Sequence, residues 1–187
     1  MLAIKAAQMR GAALPRICLV LETEEESGSE NLMPLLAAAE SYIGKPDALF
    51  CLDSGVLDYE QLWTTSTLRG CALVDLMVEC AQGGYHSGEV GGIVPETFRV
   101  VRTLLDRVDD PKTGRCVDKL QMEVPEWKLA EAKDVAASQG EKLYNKFELL
   151  ENVAYMNQDN LVEMYLDNVW RSNLTITGAG GLPDYQK

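Results

Sequence analysis

The stretch Leu19-Val-Leu-Glu-Thr-Glu-Glu-Glu-Ser-Gly-Ser-Glu30 joins an apolar run to the carboxylates of Glu22, Glu24, Glu25 and Glu26, and then turns at Ser27, Gly28 and Ser29. Like charges this close raise each other's pKa unless something positive sits among them. An acidic cluster at the end of an apolar strand therefore points to a cation at the strand's mouth. Working outward, Arg16 to Glu22 is a short apolar run bounded by Pro15 and a polar turn, the pattern of a buried strand. Asn31 to Tyr42 has helical spacing, with Leu32, Leu35, Leu36 and Ala39 on one face, and Gly44 and Pro46 stop it. Ala48 to Leu52 is a second apolar run, ended by Asp53-Ser54-Gly55. Strand, helix, strand predicts a parallel, right-handed βαβ unit. Residues 2–11 read as a further helix, stopped by Gly11 and Pro15.

The pattern changes near Trp63. Thr64 to Leu68 and Cys71 to Cys80 are β-like, with Leu73, Asp75, Met77 and Glu79 marking a sheet with one wet face. A glycine-rich loop, Gln82 to Gly92, leads to a helix predicted over 95–108, with Pro95 in its first turn. Asp109 to Gly114 is a turn, 125–170 is acidic and helix-rich, and Leu174 to Thr177 reads as a strand. The expected organisation is α/β: a parallel βαβ domain over 1–63, then an α+β domain over 64–187 with an antiparallel sheet and a helical insertion.

The chain has 187 residues and a net charge of −12, which argues against nucleic acid and anionic membrane as main partners. No apolar run approaches the ~20 residues of a membrane span. Cys18, Cys51, Cys71, Cys80 and Cys116 show no CxxC spacing. The first four lie in strand-like segments and are expected to be buried free thiols, which fits a reducing, cytoplasmic compartment.

Ligands of parallel α/β sheets sit beyond the carboxyl ends of the strands. Were the two predicted strands neighbours, Glu25, Glu26 and Asp53 would converge on one crevice, with oxygen donors suited to magnesium, manganese or zinc. The plainer reading is a solvated acidic turn with an Asx-turn at Asp53. His86, the only histidine, sits in Tyr85-His86-Ser87-Gly88 among glycines. No serine sits on a nucleophile elbow, so no Ser-His-Asp triad can be built. Gly178 to Gly181 lacks the Lys-Ser/Thr ending of a phosphate loop. Trp63, Trp127 and Trp170 read as packing residues.

Together these segments resemble the carnosinase, aminoacylase and glutamate carboxypeptidase family of di-zinc metallopeptidases, in its dipeptidase branch. Glu25-Glu26-Ser27-Gly28-Ser29 resembles that family's Glu-Glu-x-Gly-Ser loop. Leu52-Asp53-Ser54-Gly55 resembles its next metal-binding strand end, and Leu68-Arg69-Gly70 the entry to its lid. His86-Ser87-Gly88-Glu89-Val90-Gly91-Gly92 resembles its His-Ser-Gly-x-x-Gly-Gly loop, and Trp170-Arg171 with Leu174 to Gly178 a later lid strand.

The resemblance implies hydrolysis of a peptide or amide bond in dipeptides or N-acyl amino acids. Two zinc ions per complete site are implied, with manganese as a substitute. Glu25 would be the general base, Glu26 would ligate one metal and Asp53 the other. His86 would serve the partner's site in a homodimer formed through a ferredoxin-like lid. The family's His-x-Asp, bridging Asp and downstream His have no counterparts here, and Thr23 stands where a glycine is usual, so the expectation is an incomplete piece of a longer enzyme, inactive when isolated. Two alternatives remain: a magnesium-dependent phosphoacceptor domain of flavodoxin-like fold, and a non-catalytic dimerisation remnant.

Overall fold

The computed structural model describes residues 1–182. Among these the elements are α1 (Leu2–Met9), a 3-10 turn (Glu25–Ser27), α2 (Leu32–Ala38), α3 (Glu40–Ile43), α4 (Ser87–Val90), α5 (Thr97–Leu105), α6 (Glu126–Gln139) and α7 (Leu161–Val169), with two further 3-10 turns at Asp118–Leu120 and Gly140–Leu143. The chain divides into two units, Met1–Asp53 and the part from Ser54 onward.

The α/β expectation is overturned. No strand forms among the described residues, and pairing is limited to an isolated antiparallel bridge between Asp109 and Cys116. The βαβ unit, the ferredoxin-like sheet and the parallel sheet of the phosphoacceptor alternative therefore all fall. The physical reason is that a strand is not a local structure. Its N–H and C=O groups need a neighbouring strand, whereas a helix satisfies its own. Periodicity records which side chains favour burial but does not supply the partner. Residues 16–22, 48–52 and 71–80 run without helix or ladder, and apart from the half-buried Val78 and Cys80 their apolar side chains face solvent, Leu52 at 89% and Val74 at 86% exposure. The thiol expectation falls with them: Cys18, Cys51 and Cys71 are exposed, and only Cys116 is buried. The last five positions of the predicted second domain, 183–187, lie outside the described residues.

The helical readings fare better, because helices are encoded locally. Residues 2–11 give α1, and the segment 31–42 gives α2 and α3, interrupted at Ala39. The predicted helix at 95–108 becomes α5, but Pro95 lies before it. Glu96 is the cap, its carboxylate accepting from the backbone N–H of Phe98 at 2.9 Å and of Arg99 at 2.7 Å. Those donors, Phe98 first, hold the Glu96 carboxyl below the usual carboxylate range. The 109–114 turn forms as read: Asp110 Oδ1 accepts from Lys112 N–H at 2.8 Å, and Gly114 takes φ +67°.

In the first unit, the Arg16 guanidinium donates to the carbonyls of Tyr42 and Ile43 at the end of α3. None of the first unit's residues is buried. The buried core lies in the second unit. In α6, Lys128, Ala132, Val135, Ala136 and Gln139 are buried, at spacings of four, three, one and three that trace one helix face. The small Ala132 and Ala136 let α7 approach, and Leu166 of α7 is 1% exposed against this face. Asn160 caps α7 by accepting from Glu163 N–H. Trp127 and Trp170 meet edge to face with centroids 5.7 Å apart, and Trp170 Nε1–H donates to the Glu123 carbonyl. Trp63 Nε1–H and Gln139 Nε2–H both donate to Asp58, so the Asp58 carboxyl sits below the usual range.

At the centre of this core is a charge. Lys128 is 1% exposed, and its ammonium donates to Glu131 at 2.5 Å and to Thr67 Oγ1 at 3.1 Å. The rings of Trp127, Tyr165 and Trp170 surround it at 5.5–5.9 Å. Tyr165 O–H donates to the other side of the ion pair, reaching Glu131 at 2.9 Å. Burial, and then the Glu131 carboxylate, push the Tyr165 phenol up to about 12. A folded-state value raised above the unfolded one gives stability that is complete below the ordinary tyrosine range and lost as pH rises toward about 12. For Glu131, burial opposes ionisation, but the bonds from Lys128 and then Tyr165 outweigh it and hold its carboxyl low. That contribution is present above the ordinary glutamate range and lost as pH falls through the depressed folded value. Thermal melts of the full chain across pH are therefore expected to fall at both ends. Tyr165→Phe should abolish the Tyr165 share of the alkaline loss. An unchanged alkaline slope in that variant would refute this role for the phenol.

Candidate functional site

The acidic run is organised by its least conspicuous member. Glu24 stands before the 3-10 turn, and its carboxylate accepts from Asn31 Nδ2 at 3.0 and 2.9 Å through its two oxygens. Its carbonyl accepts from the N–H groups of Ser27 and Ser29 and from Ser27 Oγ. Gly28 then takes φ +103°, a conformation costly for any residue with a Cβ, which accounts for the glycine after the carboxylates, and Ser29 follows at φ +55°. The turn leaves Glu25 and Glu26 exposed on consecutive 3-10 positions. At three residues per turn, neighbouring side chains diverge by about 120°.

Asp53 ends the first unit, exposed and outside any helix. His86 belongs to the second unit, where it is exposed and caps the short helix α4. Among the described residues no three of the His, Cys, Asp and Glu side chains come together as a group able to hold a metal ion. Glu26 and Asp53 are two carboxylates, whereas catalytic zinc takes three protein ligands and structural zinc four. These residues alone do not make a metal centre. Calorimetric titration of the isolated chain with zinc is expected to show only weak binding. One tight zinc per chain would contradict that reading.

The grooves around Asp110 and around Arg102 are lined by none of Glu25, Glu26, Asp53 or His86. Sequence reasoning missed Glu24 as the residue that shapes the turn; the signal available was Asn31, seven positions on, able to reach back to it. It also missed Lys128, whose burial is unusual for a lysine and is announced only by the aromatics that surround it.

Known proteins supply the deciding observation. The chain is 34% identical over 109 residues to a Cys-Gly metallodipeptidase of Candida albicans, and 28% identical over 108 residues to a cysteinylglycine-S-conjugate dipeptidase of Corynebacterium striatum. The chain is thus similar, at distant identity, to two proteins named as dipeptidases, one of them a metallodipeptidase. The resemblance read from the motifs is borne out by both proteins. The matches take in 55% and 58% of this chain, which spans 22% and 24% of the respective relatives. No protein-family model matches the chain. Among the described residues no helix is long and apolar enough to cross a membrane.

Proposed function

We propose that this chain supplies part of the machinery for metal-dependent hydrolysis of the peptide bond in a dipeptide, with N-acyl amino acids as a related substrate class. The observation that carries the reading is its similarity to two proteins named as dipeptidases, one of them a metallodipeptidase. Glu25 and Glu26, adjacent and exposed on one turn, are the carboxylates this reading uses. Glu26 and Asp53 are the oxygen donors this chain offers to a metal, zinc in the first instance and manganese as a substitute. Further ligands come from outside the described set.

Glu25 acts as general base. Its carboxylate takes a proton from the water that attacks the amide carbon and returns it to the departing amine. Such a base contributes about 10²–10⁴-fold in rate. His86 donates to the developing oxyanion or the substrate carboxylate in the site of a partner subunit, in a cytoplasmic homodimer whose lid domain begins after position 63.

The reading is tested by exchange into a complete relative. Residues 16–92 of this chain replace their counterparts in the Candida albicans protein, and the dipeptide named for that protein is offered with zinc or with manganese. Turnover by the folded chimera supports the proposal. A folded, metal-loaded chimera without turnover overturns it.

A further inference from the structure

The His86 loop carries two observations that the motif comparison does not use. His86 Nδ1 accepts a hydrogen bond from the Gly88 backbone N–H at 3.1 Å, which makes the imidazole itself the cap of α4. At the same point the backbone comes very close to the ring: a Cβ on Gly88 would lie 3.1 Å from both Cε1 and Nδ1 of His86. That is tighter than ordinary van der Waals contact, so a side chain at position 88 would displace the imidazole from its acceptor position. The backbone at Gly88 is not in the left-handed region, so its glycine character answers to the closeness of the ring and not to a φ requirement.

We propose that Gly88 is a positioning residue for His86: its N–H occupies Nδ1 and thereby fixes the neutral ring as the Nε2–H tautomer, presented outward as a hydrogen-bond donor. A neutral imidazole has one donor and one acceptor nitrogen, and the bond made at one decides the role of the other. With Nδ1 engaged as acceptor, the proton must sit on Nε2. The exposed face of the ring is then a donor suited to a carboxylate or an oxyanion. The use of that donor in hydrolysis rests on the function proposed above; the tautomer itself does not.

The uniqueness of His86 makes the test direct, because the labelled full-length chain gives one set of imidazole resonances. Long-range ¹H–¹⁵N spectra above the pH at which the ring titrates are expected to show Nδ1 unprotonated and Nε2 protonated. The Gly88 amide should shift as His86 titrates, with the same midpoint. Gly88→Ala is expected to abolish the coupled amide shift and to raise the Nδ1–H population. Gly84→Ala, where a Cβ meets nothing within 4 Å, should leave both signals unchanged. A wild-type Gly88 amide insensitive to His86 titration, or a dominant Nδ1–H tautomer, overturns the proposal without any variant being needed. So does a folded Gly88→Ala chain with unaltered imidazole signals. The chimera's turnover is measured separately, so a failure there condemns the functional reading and leaves this one standing.

Discussion

Glu25→Gln in the chimera is expected to keep its metal content and lose about 10²–10⁴-fold in turnover. The substitution preserves size and the hydrogen-bonding outline but removes the group that accepts a proton from water. The turn itself should survive. It is held by the Glu24 carbonyl, by the Asn31 contact to the Glu24 carboxylate and by the positive φ of Gly28, none of which uses the Glu25 side chain. Glu26→Gln should differ in kind, lowering metal content together with turnover. Metal analysis beside initial rates separates the two roles. Equal metal loss in both variants would mean that Glu25 is a ligand and not the base.

Lys128→Ala is expected to destabilise the packed unit by about 3–5 kcal/mol, the usual cost of breaking a buried ion pair from one side. Lys128 is 1% exposed, and its removal leaves Glu131 facing Tyr165 and Ser66 without its counter-charge. It also empties the space between Trp127, Tyr165 and Trp170. Lys128→Met fills that space but also strands the carboxylate, whereas Lys128→Met with Glu131→Gln removes both charges. The double variant should recover much of the loss, since a buried pair replaced as a pair is often close to neutral. Urea unfolding of the full chain followed by circular dichroism reads the difference. If Lys128→Ala costs under 1 kcal/mol, a threshold near the value of a surface ion pair, the cluster does not hold this core together.

These two residues also mark what the sequence disclosed and what it withheld. The turn that follows Glu25 was legible because it is local: Ser27, Gly28 and Ser29 turn the chain, and Gly28 takes a positive φ there. The helices were legible for the same reason. The spacing and the stops at Gly11, Gly44 and Pro46 are local signals, and α1, α2, α3 and α5 form near where the sequence puts them. The predicted strands do not form among the described residues, because the apolar runs at Ile17 to Leu21 and Leu49 to Leu52 state a preference for burial without supplying a partner to pair with. Lys128 was not legible. Its partner Thr67 is 61 positions away and Tyr165 reaches the shared Glu131 across 34, separations that no window of sequence spans.

Turnover of cysteinylglycine per bound metal ion by the chimera carrying residues 16–92 tests the central claim most directly. The similarity to two dipeptidases predicts a rate within about tenfold of the parent protein, about 1.4 kcal/mol of transition-state energy. A chimera that folds, holds metal as the parent does, and turns over no faster than the free metal ion would contradict it.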